Sequence, residues 1–234
     1  MRNIIVAQEV FDLVPEFFRG VVIVESITNH VHLEAVAALL RQVVAQQAAV
    51  DIAQDPRLMS WDAAHRKFGS NPNKFPPSIK ALRKRIKSNP ELPYINSAVA
   101  LFNYISLKYG LPCGGDDVDH IAGDLVLGLS DGTEPFLALG ADKPEVPAPG
   151  EVIYYDSHTR TVMCRRWNWR NGAQTKIEAS TRRMVINIDC LPPITRDTGI
   201  QARDELADLL IRHCAARLRT GGLHAGSRQI EIGI

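Results

Sequence analysis

Residues 97–109 read Ser97-Ala98-Val99-Ala100-Leu101-Phe102-Asn103-Tyr104-Ile105-Ser106-Leu107-Lys108-Tyr109. Asn96 can cap a helix here, and Gly110 ahead of Pro112 can stop it at Tyr109. Ala98, Val99, Leu101, Phe102, Ile105 and Leu107 make that helix apolar on nearly all sides. A helix of this kind must be covered on every face, so the rest of the chain has to be built around it. Its polar exceptions align: Asn103 is two turns from Asn96, and Ser106 is three residues beyond Asn103. Buried polar groups need partners, which are either neighbouring backbone or a ligand.

Just upstream the character reverses. Ser78 can cap a second helix in which Ile79, Leu82 and Ile86 share one buried stripe. Lys80, Arg83, Lys84 and Lys87 fall largely outside that stripe. The chain is close to neutral at +1, yet its charge is segregated. Between Asp62 and Glu91 there are only bases, from Arg66 to Lys87. Residues 111–159 carry acids against the single base Lys143, and residues 160–183 carry bases against the single acid Glu178. Such blocks can give a neutral protein a positive face that steers a polyanion; the alternative is a solvated surface of locally paired charges.

A chain of 234 residues is one large domain or two small ones, and 45% hydrophobic content excludes disorder. No apolar run approaches the roughly 20 residues of a membrane helix. Met1-Arg2-Asn3-Ile4-Ile5-Val6 goes straight into a strand-like run and does not read as a signal peptide. Cys113, Cys164, Cys190 and Cys214 are scattered and form no C-x-x-C pair, as expected of reduced thiols in a cytoplasmic protein.

The pattern along the chain mixes helices and strands. Ile4–Ala7 and Val21–Val24 read as short strands, with Phe11–Pro15 and Arg19-Gly20 as punctuation between them. His32–Val50 and Trp61–Phe68 read as helices. Strands are expected from Asp124 to Leu129, in a hairpin formed by Glu151–Asp156 and Thr161–Trp167, and from Arg183 to Asp189. Residues 199–219 give a closing amphipathic helix. Without a regular βαβ rhythm this is an α+β pattern.

Standard chemical signatures are absent: no glycine-rich nucleotide loop, no G-x-S-x-G, no H-E-x-x-H. Asp116-Asp117-Val118-Asp119 lacks the remaining ligands of a calcium loop and reads as a capping acid before a short turn. No metal ligand set and no cofactor is signalled. Cys164-Arg165-Arg166-Trp167-Asn168-Trp169-Arg170 would, by strand alternation, send Arg165, Trp167 and Trp169 to one side. The indoles can stack on bases while the arginines contact phosphate, or they can simply fill core.

Gly69–Ser78 and Leu92–Leu107 resemble two elements of the freestanding B3/B4 proteins, G-x-N-P-x-x-x-x-P-S and L-P-x-I-N-x-x-V-x-x-x-N-x-x-S-L. These are relatives of the tRNA-binding and editing module in the β subunit of phenylalanyl-tRNA synthetase. Pro112–Gly123, Gly150–Asp156 and Arg165–Arg170 extend the likeness, which covers roughly residues 60–195. It implies a single compact α+β domain over residues 1–234, with a mixed sheet and flanking helices. It also implies an RNA-binding protein that hydrolyses mischarged aminoacyl-tRNA in trans, as a metal-independent deacylase acting on the acceptor end.

On that likeness the synthetase pocket's Asn falls on Asn103 and its late acid on Asp189. Phe102 stands at the Thr position, and Gly114 lies near the His position. The catalytic set is then Asn103, Gly114, Gly115 and Asp189, the glycines letting backbone approach the ester. Asn96, Ser106 and Trp167 would bind substrate. Lys74, Lys80, Arg83, Lys84, Lys87, Arg165, Arg166 and Arg170 would hold RNA. Two other readings stay open. A basic rim around a filled pocket would mark a non-catalytic RNA-binding module, and a closed pocket without a basic rim an amino-acid binding protein.

Overall fold

In the computed structural model, residues 2–233 are described. Met1 and Ile234, the ends of the expected domain, lie outside them. The fold is α+β. β1 (Asn3–Val6), a short α1 (Gln8–Leu13) and β2 (Phe18–Ser26) lead into four helices: α2 (Glu34–Ala48), α3 (Pro56–Lys67), α4 (Ser78–Ser88) and α5 (Ser97–Tyr109). Then come β3 (Cys113–Asp117), a single 3₁₀ turn, β4 (Leu125–Leu129), β5 (Val152–Asp156), β6 (Val162–Arg165), β7 (Arg170–Asn171) and β8 (Met184–Cys190). The chain closes with α6 (Arg196–Cys214), β9 (Arg217–Leu223) and β10 (Gln229–Glu231). None of the described helices is long and apolar enough to cross a membrane.

The strands form two sheets. One has the order β10-β1-β4-β5-β6-β7 and is mixed, because β1 and β4 run parallel. The other, β3-β8-β2-β9, is antiparallel throughout. β2 and β8 are apolar on both faces because both faces are covered. Val22, Val24, Ile186 and Ile188 pack on one side with α2, α5 and α6. Val21, Ile23 and Val185 pack on the other with Ile4, Val6, Leu125, Leu127 and Tyr154 of the mixed sheet. The helix expected at the centre is α5: Ala98, Leu101, Ile105 and Leu107 are fully buried in the helical layer. Asn96 caps it and Gly110 stops it with φ +72°.

Three local expectations are revised. Phe11–Pro15 is not a bare turn: its first three residues complete helix α1, since Val10 and Phe11 are drawn into the core. The closing helix ends at Cys214, not near residue 219. Ala215 takes a left-handed conformation, and Arg217–Leu223 leaves to pair with β2. Alternation also fails beyond Arg165: Arg166 and Trp167 both have positive φ, +48° and +66°, so Arg166–Trp169 is a turn and not strand.

A polar chamber between the sheets

Strand periodicity places the candidate site. The side chains at Arg19, Asn187 and Asp189 lie on the same faces of β2 and β8 as Val21, Ile23 and Val185, toward the mixed sheet. On β3, Gly114 pairs with Asn187 and Asp116 with Val185, so these positions share that face. Polar groups thus collect at one end of an otherwise apolar layer. Tyr154 and Cys164 close the chamber from β5 and β6, and Trp167 from the turn after β6. Its volume is about 80 Å³. A single water needs on the order of 10–15 Å³ by this measure, so the chamber has room for several waters or a small polar group.

Arg19 and Asp189 are the organising pair. Arg19 Nε donates to Asp189 Oδ1 at 2.7 Å and Nη2 to Oδ2 at 3.0 Å, a two-pronged match with both residues buried. Trp167 Nε1 donates to the same Oδ2 at 3.0 Å. Burial works against the Arg19 charge, but the Asp189 carboxylate outweighs it and holds the guanidinium firmly protonated. The guanidinium lies over the Tyr154 ring at 5.0 Å. Its remaining arm, Nη1, is buried and has no hydrogen-bond partner among the described residues. The Tyr154 hydroxyl and Asn187 Oδ1 also make no well-formed hydrogen bond with the described residues. A strong donor and an acceptor therefore stand unused in one small space.

Asp116 supplies a second carboxylate. Thr175 Oγ1 donates to its Oδ1 at 2.6 Å, and its Oδ2 accepts from none of the described residues. Burial pushes its pKa up to about 6, against the lowering influence of Thr175 and Arg19. The neighbouring Asp117 has the role foreseen for this run: its side chain accepts from Asp119 N and caps the 3₁₀ turn. Among the described residues no group of His, Cys, Asp and Glu is placed to hold a metal ion, and all four cysteines are free thiols.

An outer recess of about 270 Å³ adjoins the chamber, with Ser78 and Cys113 in the wall of both. Ala81, Leu82 and Arg85 line it from α4, Asn103 and Ser106 from α5, and Trp169 from the turn. The Asn103 amide is half-buried and has no partner among the described residues, while Ser106 Oγ donates to Leu111 O at 2.6 Å. Trp169 packs edge-on against Phe75, and the Arg166 guanidinium carbon lies 3.8 Å from the centre of the Phe75 ring.

The expected site residues therefore divide. Gly114, Gly115, Asp189 and Trp167 meet in the inner chamber, and Asn103 and Ser106 in the outer recess. The glycines sit on the edge strand β3. Asn96 does not join them. It is fully buried, accepting from Val99 N and donating to Ile177 O, and so acts as scaffold. Trp167 is core as well as wall, packed at right angles on Phe17 and Trp61.

The basic set is thinned. Arg83 is 1% exposed and donates to Gln47, so it does not belong to the outer face of α4. Arg165 is buried between Glu145 and Glu151, which claim its guanidinium. Arg166 is held near Glu151 and Lys80 by Asp62. Lys74, Lys84, Lys87 and Arg170 remain exposed, joined by Arg85 at the recess.

Sequence reasoning missed Arg19, Tyr154 and Asn187 and took Asp116 only as part of a cap. The available signal was a polar residue recurring every second position inside apolar strands, as in Val185-Ile186-Asn187-Ile188-Asp189. One histidine, His65, is fully buried beside the chamber wall residue Asn168. His65 Nε2 lies 3.3 Å from Asn168 Oδ1, and burial lowers its pKa to about 4.

A search of curated protein sequences returns no match. Among solved structures, the chain is similar to an N-terminal fragment of the phenylalanyl-tRNA synthetase β-subunit from Pyrococcus horikoshii, at 13% identity and a TM-score of 0.42. The likeness covers 53% of this chain and 41% of that one, so the chain spans well under two thirds of that fragment. The family model for the B3/4 domain matches residues 60–215, from α3 to the start of the link between α6 and β9. With two thirds of its length under that match, the chain belongs to the B3/4 domain family.

Proposed function

We propose that this protein binds the aminoacylated 3′ end of a tRNA and hydrolyses the ester, clearing mischarged tRNA in trans. The observation that carries the reading is the unpaired, buried Arg19 Nη1 in a polar chamber that continues into a recess edged by Arg85 and Trp169. A polyanion is drawn to the exposed bases Lys74, Lys84, Arg85, Lys87 and Arg170. Trp169 offers a face for a terminal base. The reacting carbonyl then enters the chamber, and the terminal nucleoside occupies the larger recess.

An aminoacyl ester is already labile, so orientation and charge stabilisation supply much of the rate. Arg19 is suited to this because Asp189 and Trp167 fix its position before substrate arrives. Asn103, with a free amide at the recess, would orient the aminoacyl group on its way in. The Gly114 backbone forms a wall with nothing within 4 Å of where a Cβ would stand, leaving room for substrate.

The test is a panel of mischarged tRNAs incubated with stoichiometric protein. Accelerated release of at least one amino acid is expected. Spontaneous rates throughout, with RNA still bound, would leave a non-catalytic RNA-binding module. No RNA binding, with calorimetric uptake of a free amino acid, would leave an amino-acid binding protein.

A further inference from the structure

Resting on that reading, we infer that Asp116 is the general base of the hydrolysis and Arg19 Nη1 the donor that receives the developing oxyanion. The two side chains come from different strands, β3 and β2, but from the same inter-sheet face, with β8 between them. Arg19 has its other two nitrogens tied to Asp189, leaving Nη1 to donate to a ligand. Asp116 has Oδ1 tied to Thr175, leaving Oδ2 for a water. Each group is thus half-fixed and half-free in the same chamber.

In the reaction, Asp116 Oδ2 takes a proton from water as the water oxygen bonds to the ester carbonyl carbon. The carbonyl electron pair moves to oxygen, which Arg19 Nη1–H stabilises. Collapse of the tetrahedral adduct re-forms the carbonyl and breaks the bond to the ribose oxygen. That oxygen takes the proton from the Asp116 carboxylic acid. One water is consumed, the amino acid and the ribose hydroxyl are released, and both protein groups return to their starting states.

The surroundings suit the role. Asp116 faces Arg19 from β2, Asp117 on its own strand, Tyr154 from β5 and Cys164 from β6. Asp189 from β8 is engaged by Arg19. Burial holds Tyr154, Cys164 and Cys113 well above their ordinary values, so none of these three titrates near neutrality. His65, behind Asn168, titrates near 4. Asp116, near 6, is largely ionised at neutral pH and close to the value at which a general base works best.

The experiment is single-turnover deacylation from pH 5 to 8, corrected for spontaneous hydrolysis, on a tRNA that the wild-type protein clears. The wild-type rate should rise through about pH 6 and level off. Asp116→Asn should slow it roughly 10²-fold or more and abolish that limb. It should still bind an RNA hairpin carrying a non-hydrolysable 3′-aminoacyl amide and should melt cooperatively. Thr175→Val, which removes the bond that lowers the Asp116 pKa, should move the limb to higher pH. Asp116→Asn turning over like wild type, or an unmoved limb in Thr175→Val, would overturn the assignment while leaving deacylation intact. A wild-type protein that clears no ester would sink deacylation itself, and the assignment with it.

Discussion

Asp116 is a carboxylate kept where the fold does not want it. Its pKa of about 6 lies above the ordinary carboxylate value because burial disfavours the charge. A raised folded-state pKa means full stability below the unfolded value near 4 and a loss as pH rises through about 6. Asp116→Asn should therefore leave stability unchanged near pH 4 and raise it by roughly 2–3 kcal/mol at pH 8. Denaturant melts at the two pH values measure this; equal effects at both would show that Asp116 is not strained by burial. Asn103 is the opposite case. Having no partner among the described residues, Asn103→Ala should shift stability by only about 0.5 kcal/mol. Its single-turnover deacylation rate should fall about tenfold, and a large drop in melting temperature would place Asn103 in the scaffold instead. Asn103 was legible in sequence because an amide stands out in an apolar helix. Arg19 was not, because its meaning comes from Asp189, 170 residues away in the chain.

Helix α4 was legible in outline and mistaken in one detail. Ile79 and Ile86 face inward as their spacing requires, but Arg83 lies with them, its charge turned toward Gln47 and the Asp55–Arg57 pair. A long side chain can reach inward from a position that a helical stripe assigns to the surface. The RNA test must therefore spare it. Replacing Lys84, Arg85 and Lys87 together with Ala should weaken binding to all tRNAs alike and reduce the dependence of affinity on salt. Unchanged affinity at low salt would move the RNA face elsewhere. Strand β3 offers a paired test of site against scaffold. A Cβ at Gly115 would stand 2.8 Å from Val185 O, whereas one at Gly114 would meet nothing within 4 Å. Gly115→Ala should destabilise by about 1–3 kcal/mol. Gly114→Ala should fold normally and lose deacylation, since its methyl group narrows the chamber wall. Equal stability of the two variants would contradict the strand packing.

The family match runs from residue 60 to 215, but the folded unit does not respect those bounds. β2 lies outside the match, yet it sits between β8 and β9, walls both major cores and carries Arg19. β1 and β10, from opposite ends of the chain, pair with each other. A fragment limited to residues 60–215 should therefore fail to fold, since it loses β2 from the centre of a sheet and leaves Asp189 buried without its cation. Circular dichroism and a thermal melt test this, and a cooperative transition in the fragment would refute it. The α+β class was readable because local periodicity reports on single elements. The pairing of β2 with β9 was not, since strand partners so far apart leave no local trace. The chamber and its outer recess thus join two kinds of building material. The inner groups hang on interlocked strands shared with the cores, while the outer bases, Lys84, Arg85 and Arg170, are exposed side chains. Heritable change meets these unequally: the rim can vary one residue at a time with little effect on folding, whereas the chamber can vary only with the core. Descendants of this fold should therefore diversify in what they hold long before they diversify in what they do to it.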